Sequence, residues 1–295
     1  YEADIIYVRR FLIDTGVTTG LEVPSNKVSW KEIKPINLDI PLRIWYIDIE
    51  VLSEGEFPDY NNPIHPVTAI TIYDSDDEKY VTFAWKRGTK YSKLVGNWYI
   101  VVFDNEYDML FNFARLYSVL DPDIITGWNV DEFDIPYLRA RLKHYNLSID
   151  LERADIFDLK AGYQCLIKRP RYALKEVAKY EGFEYVEIPQ WELDKTYEED
   201  LEKYIRYNHS DVKLLVEIDK RYKIIDYFLA VKEVVGLESL SSTYYKHGEI
   251  VGVSEAVIID TLLLRIAKDM GVVLPSVCLL YTSDAADELD GVDLG

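Results

Sequence analysis

The chain has 295 residues, 48% hydrophobic and 29% charged, which is globular composition with room for one large domain plus pieces of neighbours. Its formal net charge of −19 argues against a duplex binder that works by neutralising phosphates with its own cations. Most of that charge is expected to be solvated surface acid, with a few carboxylates left over for divalent metals that could themselves meet a phosphate.

The N-terminal YEADIIYVRR has no signal-peptide layout, lacks an initiator Met and begins mid-pattern, so the chain reads as a fragment. Residues 1–36 mix short apolar stretches with turn signals and read as the end of a preceding domain. Strands are expected at Ile44–Val51, Val67–Tyr73 and Tyr80–Trp85, each rich in β-branched and aromatic residues. Apolar residues recur at helical spacing over 105–120. A short strand follows at Ile124–Gly127, then a helix from about Pro136, because proline suits a first helical turn. Further helices are expected over 199–222 and 254–271. Strands first, then strand–helix alternation, indicate an α/β fold with a mixed sheet. The stretch 277–295 is rich in Ala, Asp and Gly, is not periodic, and reads as foreign or disordered. Cys165 and Cys278 lack zinc-site or disulfide-framework spacing and fit a reducing compartment. No run of about 18 apolar residues is present to span a bilayer. The 24 Tyr, 10 Phe and 6 Trp suit a packed core or stacking on nucleobases.

Three places in this pattern carry chemistry. Period-two alternation puts Ile44, Tyr46, Asp48 and Glu50 on one face of their strand, with Trp45, Ile47, Ile49 and Val51 on the other. Two neighbouring carboxylates in an apolar strand repel each other and are costly to desolvate, and a hard divalent cation removes that cost. An edge strand with a wet face would carry the same pair harmlessly. On the helix 199–222, Asp211 falls in a mostly apolar stripe with Leu201, Tyr204, Asn208, Leu215, Ile218 and Tyr222. Tyr207 lies one turn before it, so both can reach the same side; a drifting stripe would leave Asp211 on the boundary. Asp134 stands where a loop enters a helix, a favourable place for an anion, and simple helix capping explains it equally well in isolation.

The segments Tyr46–Glu50, Thr126–Tyr137 and Tyr207–Asp211 resemble, in order and context, the three exonuclease motifs of family B DNA polymerases. The likeness covers most of residues 1–276. Tyr1–Gly16 is similar to the archaeal approach to that domain, Phe57–Ser75 to the T4-like phage enzymes, and Val235–Pro275 to the connection into the palm. The resemblance implies an RNase H-like exonuclease domain, with a central mixed β-sheet flanked by helices. It would occupy residues 37–230, with 1–36 the end of an N-terminal domain and 231–276 leading into the palm.

It also implies roles. Asp48, Glu50 and Asp211 would hold a first metal, and Asp48 would bridge to a second near Asp134. Two Mg²⁺ ions, replaceable by Mn²⁺, would sit about 3.5–4 Å apart across the 3′-terminal phosphodiester, with Tyr207 orienting the water. The spacing from Tyr207 to Asp211 is that of the tyrosine subclass of DEDD exonucleases. The histidine subclass would need His where Arg206 stands, which leaves His209 an incidental surface residue. Trp128, Asn129 and Phe133 are candidate contacts to a single-stranded 3′ DNA end, with core packing the other use for Phe133. Lys168, Arg169 and Arg171, then Lys175, are candidate phosphate contacts or a solvated loop. Implied partners are primer–template DNA and a sliding clamp reached through the rest of the parent protein, in the cytoplasm of a prokaryote or virus-infected cell. The palm runs Ser-Leu-Tyr-Pro-Ser, Lys-x-x-x-Asn-Ser-x-Tyr-Gly and Asp-Thr-Asp do not occur, so nucleotide addition is not expected of these residues. A catalytically silent nucleic-acid-binding domain and a free-standing exonuclease on DNA or RNA are the competing readings.

Overall fold

The computed structural model describes residues 5–52, 58–248 and 250–274. Cys278 and the stretch 277–295, read as foreign, lie outside them. Two compact units result: one of residues up to Leu38, Glu233–Glu238 and from Ala256 on, the other of Asp39–Lys232 and Ser239–Glu255.

The first unit begins with helix α1 (Tyr7–Thr15), which ends at Gly16 with φ 75°. Strands β1 (Gly20–Glu22) and β2 (Lys34–Ile36) follow as an antiparallel ribbon.

The second unit is built on a seven-stranded mixed sheet. Its strands are β3 (Ile44–Val51), β4 (Val67–Asp74), β5 (Lys79–Trp85), β6 (Tyr91–Val95), β7 (Trp98–Phe103), β8 (Ile124–Gly127) and β9 (Asp155–Asp158). They lie in the order β6-β7-β5-β4-β3-β8-β9. Pairings β3–β4, β4–β5 and β6–β7 are antiparallel, while β5–β7, β3–β8 and β8–β9 are parallel. Helices α2 (Glu106–Leu120) and α3 (Asp134–His144) are followed by α4 (Leu159–Leu166), α5 (Leu174–Glu181), α6 (Leu193–Glu199), α7 (Leu201–Tyr222) and α8 (Ile224–Val235). A hairpin of β10 (Tyr244–His247) and β11 (Ile250–Val253) then precedes α9 (Glu255–Asp269). Most of α9 belongs to the first unit, where Arg265 donates to the carbonyls of Val17 and Gly236 at 3.0 and 3.2 Å. No described helix is long and apolar enough to cross a membrane.

The expected strands and helices are present within a few residues. The helix expected from Pro136 starts two residues earlier, at Asp134. The one expected from residue 199 starts at Leu201, because Asp200 caps it by accepting from the Lys203 amide at 3.0 Å. Alternation along β3 divides the core as its sequence requires. Trp45, Ile47 and Ile49 pack with Leu110, Phe113 and Leu138 of α2 and α3. Tyr46 faces the other way, with Val212, Leu215 and Ile218 of α7. Strand β4 is buried along its whole length, as a central strand covered on both faces must be.

One ion pair is built into this core. Arg141 of α3 meets Glu106 of α2 side-on, through Nη2 to Oε2 and Nε to Oε1, the latter at 2.9 Å. Glu106 also accepts from the Val67 amide at 2.8 Å and the Tyr145 hydroxyl at 3.0 Å, while Arg141 donates to the Pro63 carbonyl at 2.6 Å. Both side chains are buried, so removing one strands the other's charge. Replacing Arg141 by Met should therefore cost about 3–5 kcal/mol of stability in urea unfolding. A loss below about 1 kcal/mol, the size of an ordinary surface change, would contradict this account.

Candidate metal centre

Asp48 and Glu50 lie on the α7-facing side of β3, and Asp211 comes to meet them from α7. One carboxylate oxygen from each lies within 4.8 Å of the others. All three line a cleft of about 800 Å³ together with Asp134, Tyr207, Trp128, Asn129 and Phe133. The cleft thus gathers every residue expected to act on the phosphodiester, and the three expected to contact the strand.

A hydrogen-bond chain through the sheet orients Asp48. Asn208 of α7 is fully buried and donates its amide to Asp48 Oδ2 at 2.6 Å and to the Asp48 carbonyl at 3.3 Å. Its Oδ1 accepts from the Thr71 hydroxyl. Thr71 lies 2.7 Å from Thr82 on the neighbouring strand, and Thr82 accepts from the Trp98 indole at 2.8 Å. An indole N–H can only donate and the Asn208 amide oxygen can only accept, so the hydroxyls between them point one way, towards Asn208. In the sequence Asn208 is merely one residue of the α7 stripe; its partners sit on two separate strands, β3 and β4.

Asp134 is not a helix cap. It lies within the first turn of α3, and its Oδ1 accepts from the Ile49 amide at 3.1 Å. That amide is available because the parallel pairing of β3 with β8 stops at Tyr46 and Thr126. Beyond it the chain turns away at Gly127, where a Cβ would stand 2.7 Å from the Ile47 carbonyl oxygen. Asn129 then takes a left-handed φ of 69°, and its amide donates to Asp158 Oδ1 at 2.8 Å. The Asn129 carbonyl accepts from the amides of Glu132 and Phe133 at 3.2 and 3.1 Å. This turn delivers Asp134 to the cleft.

Burial and mutual repulsion dominate the electrostatics. Burial pushes Asp48 up to about 7, against the pull of Lys175 and Asn208. Burial, then the Asp48 charge, hold both Glu50 and Asp134 well above the usual carboxylate range. Tyr207 is also raised, by burial and by the charges of Glu50 and Asp48, so its hydroxyl stays protonated. Lys175 of α5 answers part of this charge. Its ammonium pairs directly with Asp211 and lies over the Tyr207 ring, 4.5 Å from the centroid. Burial nevertheless lowers Lys175 to about 8. Hard oxygen donors, crowded and short of positive charge, fit a divalent cation.

The basic run is split. Lys175 turns into the cleft, whereas Arg169 pairs with Glu181 at 2.9 Å and meets the Tyr163 hydroxyl at 3.3 Å. Lys168 and Arg171 are exposed, and none of these three lines the cleft. Trp128 donates to the Tyr172 carbonyl at 2.9 Å, and Phe133 stacks on Tyr137 at 5.6 Å between ring centroids. His209 is not an incidental surface residue: it is partly buried and stacks on Trp98 with centroids 3.9 Å apart. No local pattern marks Trp191, which lines the cleft at 79% exposure from the short 3-10 turn before α6.

Fold and site together define an RNase H-like α/β domain whose acidic cluster fits a divalent metal. The family model for the DNA polymerase family B exonuclease domain matches residues 1–182. The chain belongs to that family. It is 25% identical to the DNA-directed DNA polymerase of Escherichia phage RB69 over 63% of this chain and 26% of that protein. Identity to the DNA polymerase of Methanocaldococcus jannaschii is also 25%, over 94% of this chain and 16% of the relative. For the Enterobacteria phage T4 enzyme it is 26%, over 64% and 27%. The chain thus spans roughly a quarter or less of these relatives. The family match includes Asp48, Glu50 and Asp134 and stops before Tyr207 and Asp211, whose place at the centre rests on geometry.

The ammonium of Lys175 competes with any cation for Asp211. Replacing Lys175 by Met should tighten Mn²⁺ binding by about tenfold, or 1.4 kcal/mol, in calorimetry without DNA. Weaker binding would mean that the ammonium supports the loaded site instead.

Proposed function

We propose that this chain is the 3′→5′ proofreading exonuclease portion of a DNA-directed DNA polymerase, in the tyrosine subclass of DEDD exonucleases. The observation that carries the reading is the meeting of Asp48, Glu50 and Asp211 within 4.8 Å, in a cleft that also holds Asp134 and Tyr207. In this reading residues 37–230 form the exonuclease domain, 1–36 end an N-terminal domain, and 231–276 lead towards the palm.

Asp48, Glu50 and Asp211 would hold one Mg²⁺, and Asp48 with Asp134 a second. Bound there, the ions (Mg²⁺, with Mn²⁺ as substitute) would neutralise the carboxylates and polarise the terminal phosphodiester of a single-stranded 3′ end. The protein's own groups do the positioning. Asn208 fixes the rotamer of Asp48, and the Ile49 amide fixes Asp134. Tyr207 keeps its proton, so it acts as a hydrogen-bond donor that orients the attacking water or a phosphate oxygen, and not as a base. Trp128, Phe133 and Trp191 offer aromatic surface to the unpaired terminal bases. Primer–template DNA is the wider substrate, a sliding clamp acts through the rest of the parent protein, and the cytoplasm is the setting.

One observation favours a second reading. The Lys175 ammonium takes a position a cation would use, and a site held closed by it would be a catalytically silent nucleic-acid-binding domain.

Asp48→Ala and Asp134→Ala should each abolish Mg²⁺-dependent shortening of 3′-ended single-stranded DNA, a loss of at least about a thousandfold in kcat. Oligonucleotide binding measured with the metal withheld should persist. Shortening that survives in a clean Asp48→Ala preparation would sink the assignment, and a wild-type chain that binds DNA without shortening it would support the silent reading.

A further inference from the structure

The loop that delivers Asp134 carries two acids, Asp131 and Glu132, and packs beside a third, Asp158 at the end of β9. Asp158 is only 1% exposed, and its Oδ1 accepts from the amides of Asn129 and Lys160 at 2.8 and 3.0 Å. Its Oδ2 faces one cation, Lys246 of β10, at 2.6 Å. The same ammonium reaches Asp131 Oδ1 at 2.6 Å and Glu132 Oε1 at 3.4 Å. Lys246 is itself mostly buried, and two residues earlier the Tyr244 hydroxyl accepts from the Asp158 amide at 3.3 Å. The hairpin therefore grips the end of β9 twice and the loop twice.

We propose that Lys246 is a positioning residue of the metal centre, bridging the Asn129–Phe133 loop to Asp158 so that Asp134 is presented to the cleft. This rests on the exonuclease reading above. Without the bridge, Asp131, within the turn whose register sets Asp134, is no longer tied to Asp158, which receives the Asn129 amide. The Ile49 amide would hold Asp134 at one point, while the turn leading to it would open.

The test separates bridging from mere compensation of a buried charge. In the metal-free chain, Lys246→Met should speed amide exchange across 129–133 by about tenfold and leave β3 and β4 unchanged. On 3′-ended single-stranded DNA it should lower kcat by about tenfold with little change in KM, and Lys246→Arg should restore both readouts. The double variant Lys246→Met with Asp158→Asn removes the stranded charge. It should regain the wild-type melting temperature, keep the fast loop exchange and keep the low kcat. Asp131→Asn, which removes the shorter of the two loop contacts to Lys246, should reproduce the loop effect if Lys246→Met proves too unstable to study. Unchanged loop exchange in Lys246→Met or Asp131→Asn, or a double variant that recovers kcat along with stability, overturns the proposal. A wild-type chain that fails to shorten DNA overturns the exonuclease reading instead, and the exchange measurements still decide the bridge.

Discussion

Two carboxylates on one face of a buried strand set the terms for the rest of the structure. Charges of like sign about 4 Å apart repel by about 4 kcal/mol at an effective dielectric constant of 20, a large part of what holds a domain folded. Asp48 and Glu50 face α7, and the helix meets them with polar groups there. Asn208 donates to Asp48, Asp211 completes the donor set, and Lys175 reaches in from α5. Around this point the packing is ordinary: Tyr46 against Val212 and Leu215 on one side of β3, Trp45 against Phe113 on the other.

Local pattern was enough to find the centre of the fold and to mark candidate acids, and the resemblance to the exonuclease motifs singled them out, Asp134 among them. The alternation along β3 put Asp48 and Glu50 on one face, which the fold turns towards α7, and helical spacing put Tyr207 and Asp211 one turn apart. What could not be read were elements whose form depends on distant neighbours. Strand β9 is four residues long and exists by pairing with β8, and β7 is held between β5 and β6. His209 looked peripheral because its partner, Trp98, lies on a strand more than a hundred residues earlier. The basic run looked like one patch, and only the fold sends Lys175 to the cleft and Arg169 to Glu181.

The loop from Trp128 to Phe133 shows why motif and geometry are different kinds of information. Its residues point to a turn before a helix. The turn's path is set by Gly127 against the Ile47 carbonyl, by the left-handed Asn129, and by the buried Asp158 that receives the Asn129 amide. Two of these three constraints come from outside the loop. The net charge of −19 is similarly uninformative about the site. What matters is that a few acids are enclosed while the remainder face water.

The placement of Lys175 bears on the order in which the molecule is assembled. Proteins whose ligands lack any internal counter-charge must often capture their metal in order to fold. Here a covalently attached cation already stands among the carboxylates, so the cleft can take shape in a metal-poor milieu and be loaded afterwards. Architecture and activation are thereby separate events, and the ion becomes a late arrival to a finished site.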